Sequence, residues 1–281
     1  MRSFEIPLRS QDGHRHQLRA CVPAEPTAAL LWLPALGVAA RHYQPFAESL
    51  AARGVAVFVH EWRGHGSSSL RASRDHDWGY RELLEQDLPA SESGVQQALA
   101  DSGNTGLPCI IGGHSLGGQL ASCRLGMAPD FASRLWLVAS GAPYWRAFPP
   151  PTRYWLPLVY RFLPWLADRR GALPGHRIGF GGTEARGVIS DWARSALSGR
   201  YRAHGLDVDL EAAMAHRSPQ VRAVTLANDW LAPDSSLRFL LSKIPRAAVS
   251  TTLLDSRALA ARADHFHWMK HPDAVAKALT G

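Results

Sequence analysis

Long apolar runs are missing from this 281-residue chain. The longest, Ala28 to Ala40, covers 13 residues and is broken by Pro34 and Gly37, well short of the roughly 20 residues a spanning helix needs. Cysteine is scarce. Cys21, Cys109 and Cys123 cannot all pair and none sits in a Cys-x-x-Cys, which argues for free thiols over a disulfide framework or a zinc site. Lysine is scarcer than arginine, with Lys243, Lys270 and Lys277 its whole complement. There is no Lys/Arg run, helix-turn-helix or zinc-finger pattern, so nucleic acid is not the expected partner. A Gly-x-x-x-x-Gly-Lys loop and a dinucleotide fingerprint are also absent, and no cofactor is implied. No internal repeat is visible. Met1-Arg-Ser-Phe-Glu-Ile-Pro-Leu8 lacks an apolar core and a small-residue cleavage site, which predicts a cytoplasmic protein.

What is present describes a folded chain. Apolar residues make up 46%, against 20% charged, enough to bury the core of one large α/β domain or two small ones. The formal charge of +7 is read as arginines solvating a surface, with attraction to anionic substrates as the sharper alternative.

Short apolar runs alternate with helical patterns. Phe4–Leu8 and Gln17–Val22, separated by Gln11-Asp12-Gly13, read as a hairpin. Ala28–Leu33 and Val55–His60 are continuous apolar runs, the pattern of strands buried on both faces. Helical spacing follows over His42–Arg53, with Gly54 as its cap, and over Tyr80–Ala100, where Pro89 is an obstacle. Cys109–Gly112 and Leu135–Ala139 read as strands with a helix over Leu116–Met127 between them. The pattern resumes with strands at Val221–Ala227 and Val249–Leu254 and a closing helix near Ala274–Leu279. This alternation predicts a doubly wound, mostly parallel sheet.

Residues 142–220 differ in texture. They hold 8 of the 19 prolines, 4 of the 10 tryptophans and 11 arginines against 6 acids. They read as a helical cap inserted between the sixth and seventh strands, with 1–141 and 221–281 as the core domain. Within it, Trp155-Leu-Pro-Leu-Val-Tyr-Arg-Phe-Leu-Pro-Trp-Leu166 has two readings. The favoured one is a cap helix packed on the core, its regularity limited by Pro157 and Pro164. The other is a membrane-surface segment, since interfacial helices combine Trp/Leu faces with arginine.

Gly113-His114-Ser115-Leu116-Gly117 lies between an apolar strand and an Ala/Leu helix. In that setting a Gly-x-Ser-x-Gly run is a nucleophile elbow, with the serine held in a strained turn and the glycines admitting close backbone approach. A serine hydroxyl becomes a useful nucleophile only when an imidazole takes its proton and a carboxylate orients that imidazole.

At these residues the sequence resembles the α/β-hydrolase family over nearly the whole chain outside the insertion. Leu33-Pro-Ala-Leu-Gly37 sits where the family has a His-Gly-x-x-Gly oxyanion loop, with Pro34-Ala35 replacing His-Gly. Glu61-Trp-Arg-Gly-His-Gly-Ser-Ser68 matches Asp-x-Arg-Gly-His-Gly-x-Ser, and His65 in it is read as structural. Ala227-Asn-Asp-Trp-Leu-Ala-Pro233 resembles Gly-x-x-Asp-x-x-x-Pro, and Ala263-Asp-His-Phe-His-Trp268 resembles the late Gly-His-Phe turn. The resemblance therefore implies a Ser115–Asp229–His265 triad, with Asp234 and Asp255 as competing acids and His267 as competing base. It implies an oxyanion hole of Leu36 and Leu116 N–H groups. His-x-His could instead ligate a metal, but lacks a third ligand at suitable spacing. Candidate substrate contacts are His114, Tyr144, Trp145 and Trp230, and the expected partner is a small ester or thioester, acyl or anionic. Amidase, acyltransferase and C–C hydrolase chemistry fit the same triad, and a non-catalytic binding protein on this scaffold is the alternative from another class.

Overall fold

The computed structural model describes residues 1–281. Its main-sheet strands are β1 (Arg2–Arg9), β2 (Arg15–Val22), β3 (Ala28–Leu33), β4 (Val55–Val59), β5 (Cys109–His114) and β6 (Arg134–Val138), joined later by β9 (Gln220–Leu226) and β10 (Ala248–Leu254). β7 (Leu173–Pro174) and β8 (Thr183–Glu184) form a separate short ribbon. The spatial order is β1-β2-β4-β3-β5-β6-β9-β10; β2 runs antiparallel to both β1 and β4, and the six strands β4-β3-β5-β6-β9-β10 are parallel to one another.

The central strands are apolar because both their faces are covered. In β3 every residue is buried: Leu31 and Leu33 pack into one layer, Leu30 and Trp32 into the other. On the first side lie α2 (Tyr80–Glu82), α3 (Leu88–Asp101) and α4 (Leu116–Met127). α1 (Gln44–Ala51) covers the opposite face, with the C-terminal helix beside it. The segment expected as one helix over Tyr80–Ala100 is interrupted by a wide π turn at Leu83–Asp87, where Leu88 N–H reaches back to Leu83 O. Pro89 then falls in the first turn of α3, where its missing N–H costs no helical bond.

Between β6 and β9 the chain forms α5 (Thr152–Arg170), α6 (Gly175–Ile178), α7 (Arg186–Ser198) and α8 (Leu210–Ala215). α5 runs unbroken through Pro157 and Pro164, more regular than the sequence suggests. Leu156, Tyr160, Leu163 and Ala167 bury one stripe of it, and the Tyr160 ring meets Trp192 of α7 edge-on at 4.9 Å. Burial worth about 1.5–3 kcal/mol per large side chain offsets prolines costing about 3 kcal/mol each. After β9 come α9 (Asp234–Leu241), α10 (Ser256–Leu259) and α11 (Asp273–Thr280).

A buried polar cluster ties the N-terminal hairpin to the sheet. Asp87 accepts from Ser10 Oγ at 2.7 Å and from both Nε and an Nη of Arg63 at 2.9 and 2.7 Å, and it pairs with His14 Nδ1 at 2.9 Å. His16 stacks on His14 at 5.0 Å and meets His60 edge-on at 5.2 Å. Burial depresses the His16 pKa to about 4 and drives that of His60 well below the usual value. A histidine held neutral in the fold but protonated near pH 6.5 when unfolded stabilises the protein above that pH and ceases to as pH falls. Unfolding free energy should therefore drop between about pH 6.5 and pH 4.5, by on the order of 2–3 kcal/mol from His16 alone. Urea titrations across that window measure it; an unchanged midpoint would contradict the buried neutral state.

Candidate active site

The turn after β5 is built for close approach. Ser115 adopts φ 56° and ψ −121°, a conformation that a non-glycine residue holds only under constraint. A Cβ on Gly113 would overlap the Gly117 carbonyl carbon, and one on Gly117 would overlap the Leu33 carbonyl oxygen. Ser115 N–H donates to Val138 O at 3.2 Å, and Ser140 Oγ donates to Ser115 O at 2.7 Å. Ser140, at the end of β6, thus braces the elbow; nothing in its local sequence announces this, because the contact spans 25 positions.

Two loops from the far end of the sheet bring in the acid and the imidazole. Asp229 follows β9, and its Oδ1 accepts from Leu231 and Ala232 N–H at 2.9 and 3.1 Å. Its Oδ2 pairs with His265 Nδ1 at 2.8 Å, with both side chains buried. The competing residues are engaged elsewhere. Asp234 is an exposed ion-pair partner of Arg238 in α9, Asp255 caps α10 through Ala258 N–H, and His267 pairs with Asp264 at the surface. Ser115 and His265 line one cavity of about 380 Å³, together with Leu36 and Leu116. Leu36 N–H has no intramolecular acceptor, and Leu116 is the first residue of α4, ahead of Gly118 and Gln119, whose N–H groups make the first helical bonds, to Ser115 O. The negative end of a reacting group placed there would also face the positive end of the helix dipole.

Behind His265 lies a hydrogen-bonded strut. Ala35 N–H donates to the Tyr43 hydroxyl at 2.9 Å, and that hydroxyl hydrogen-bonds with His114 Nδ1 at 2.8 Å. Burial holds His114 neutral by driving its pKa well down. The His114 and His265 rings are 4.8 Å apart. His114, expected as a substrate contact, is fully buried and does not line the cavity. Tyr144 and Trp145 also lie outside the lining. Tyr144 packs on Phe239 of α9 at 4.8 Å, and Trp145 sits under the Arg146 guanidinium. Trp230 does line the cavity.

Residues from the segment between β6 and β9 form the other side. Tyr160, Phe180 and Trp192 line the cavity. The Phe180–Glu184 turn rests on the loop after β3, where a Cβ at Gly37 (φ 76°) would overlap Gly181 and Gly182. Glu184 accepts from Gly182 N–H at 2.6 Å and pairs with His65 Nε2 at 3.2 Å. Burial opposes the His65 imidazolium, but the Glu184 carboxylate outweighs it and raises the pKa. That pair is strongest below about pH 6.5 and weakens as pH rises through the raised value.

Phe148, Phe180, Trp192 and Gln119 line the cavity without having been singled out as contacts in the sequence, and Gln119 is the polar one. Gln119, one helical turn after Ser115 on α4, is buried with its Oε1 lacking a partner. The available signal was an amide placed four residues after the elbow serine in an otherwise small and apolar helix. His14, His16 and Asp87 place three ligand-type atoms close together. Arg63 already grips both Asp87 oxygens there, and its charge opposes a cation.

An eight-stranded, mostly parallel sheet with the elbow serine at a strand–helix turn defines an α/β hydrolase. Residues 24–248 match the family described as serine aminopeptidase, S33, and the chain belongs to that family. Similar solved structures include an esterase domain from Rhodothermus marinus (16% identity, TM-score 0.62, covering 100% of this chain and 97% of that one). A carboxylesterase structure from the thaumarchaeon Nitrososphaera gargenis shares 17% identity at TM-score 0.63, covering 98% and 97%. An N-formylmaleamic acid deformylase from Pseudomonas putida S16 shares 16% at 0.58, covering 99% and 100%. At these identities the likeness is one of fold. No curated protein matches the chain significantly. No helix is long and apolar enough to cross a membrane.

Proposed function

We propose that this α/β hydrolase cleaves a carboxylic ester or thioester through an acyl-enzyme on Ser115. The observation that carries the reading is the Asp229–His265 pair at 2.8 Å, with His265 on the wall of the same apolar cavity as Ser115. His265 Nε2 takes the Ser115 proton as Oγ bonds to the substrate carbonyl carbon, and Asp229 stabilises the resulting imidazolium. Leu36 and Leu116 N–H groups hold the oxyanion. The proton passes to the departing alcohol or thiol as its bond to carbon breaks. Water then repeats the sequence: His265 takes its proton, the acyl–Oγ bond breaks, and Ser115 is restored with release of the acid.

The lining suits an acyl or aromatic group, because Phe148, Trp155, Phe180 and Trp192 offer apolar surface with few competing charges. In this reading residues 142–220 act as the cap, and Tyr160, Phe180 and Trp192 give the pocket its shape. A cytoplasmic setting suits the free thiols of Cys21, Cys109 and Cys123. The direct test is a panel of p-nitrophenyl and CoA esters of increasing acyl length with fluorophosphonate labelling in parallel. Turnover and labelling of the same enzyme are expected; absence of both would return the chain to a binding role.

Gln119 is assigned to the substrate's polar end, since a buried amide oxygen without a partner costs about 1–3 kcal/mol. Gln119→Leu should raise the melting temperature by a few degrees while lowering kcat/KM about tenfold. A lower melting temperature with unchanged kinetics would mean that the amide serves packing alone.

A further inference from the structure

α5 is apolar on two sides, and the molecule buries only one of them. Leu156, Tyr160, Leu163 and Ala167 face inward. Tyr154, Trp155, Leu158, Phe162 and Trp165 face out, and Leu158 and Trp165 are 69% and 56% exposed. Phe162 and Trp165 pack on each other at 5.6 Å, so the patch is contiguous. It reaches the cavity: Trp155 lies 6.1 Å from Trp230, and both line the active-site wall while remaining exposed. A large apolar patch on a folded chain marks a docking surface.

Charge selects the occupant. Arg153, Arg161, Arg169 and Arg170 border the stripe along α5, with Asp168 as the one acid among them, and Arg177 lies on α6. Arg153 and Arg161 hydrogen-bond to the Tyr154 hydroxyl and the Pro157 carbonyl rather than to a carboxylate. The Arg153 guanidinium also lies 5.0 Å above the Tyr154 ring. Indole and phenyl side chains standing proud of a helix, ringed by free guanidinium groups, match the acyl–headgroup boundary of an anionic bilayer. The patch is the exposed face of a single helix, and a bilayer needs no complementary groove to receive it.

We propose that the outer face of α5 docks this hydrolase on anionic membrane surfaces, with the cavity mouth turned toward the lipid. Docking is independent of the catalytic assignment; delivery of a membrane-dissolved acyl substrate to Ser115 rests on it. The test uses the full chain and vesicles of diether lipids, which carry no ester to hydrolyse. Sedimentation is compared on diether phosphatidylcholine with and without diether phosphatidylglycerol, alongside tryptophan emission. Binding should be about tenfold tighter with phosphatidylglycerol and weaken as NaCl rises. The variant Leu158→Ser/Phe162→Ser/Trp165→Ser should lose it about tenfold or more while keeping its circular dichroism and its turnover of a soluble short-chain ester. No binding by the parent protein, or equal binding by the variant, overturns the proposal. So does a parent dimer that the variant converts to monomer, because the occupant would then be a second copy. Catalytic failure alone, with vesicle binding intact, would count against the ester reading and not against docking.

Discussion

Ser115→Ala should eliminate fluorophosphonate labelling and lower ester turnover by about 10⁵–10⁶-fold. The fold should survive, because the Ser115 hydroxyl makes no hydrogen bond and the elbow is held through the Ser115 backbone, whose N–H bonds to Val138 O and whose carbonyl accepts from Ser140 Oγ. Alanine inherits the strained φ of 56°, so its melting temperature should stay close to that of the parent. Ser115→Gly removes the same nucleophile and relieves the strain, for an expected gain of about 1–3 kcal/mol in stability. The pair separates chemistry from folding: both variants inactive, one of them more stable. Full labelling of the alanine variant would place the nucleophile elsewhere.

The second large effect is expected at the acid and base. His265→Ala and Asp229→Asn should each lower kcat by about 10³–10⁵-fold with little change in KM, since members of such a unit act together in the transition state. Asp229→Asn is the more informative. Asparagine can still accept from Leu231 and Ala232 N–H, which hold Oδ1 now. Its amide nitrogen would face His265 Nδ1 in place of Oδ2, forcing the proton onto the other ring nitrogen, where it cannot serve as base. Asp234→Asn and His267→Ala are the controls, and both should retain near-parental rates because those side chains pair at the surface. Loss of activity in a control, with Asp229→Asn active, would move the assignment to the other loop.

Much of this molecule was legible in the sequence because the deciding forces are local. β3 and β4 are read from unbroken apolar runs, since a strand covered on both sides needs apolar residues at every position. The elbow is read from two glycines, because only residues without Cβ let strand and helix touch at those points. Asp229 and His265 are expected from the resemblance of their loops to those of the α/β-hydrolase family, and a parallel sheet carries such loops to one edge, where the two side chains meet.

Tertiary structure decided what local patterns leave equal. His114 and Ser115 are neighbours in sequence, yet Tyr43, from 71 positions away, fixes His114 in the core and away from the cavity. Tyr144 and Trp145 have the composition of pocket residues, but α9 offers Phe239 to the Tyr144 ring instead. Pro89 is accommodated by a wide turn upstream, and Pro157 and Pro164 by burial against α7, neither of which a residue's own neighbours specify. For α5, spacing alone shows apolar residues on both sides of a helix. Which side is covered depends on where distant segments present partners, and here Trp192 of α7 meets Tyr160 while Leu158 and Trp165 meet none. Periodicity is a property of a few consecutive residues, whereas burial is a property of whatever the rest of the chain places against them.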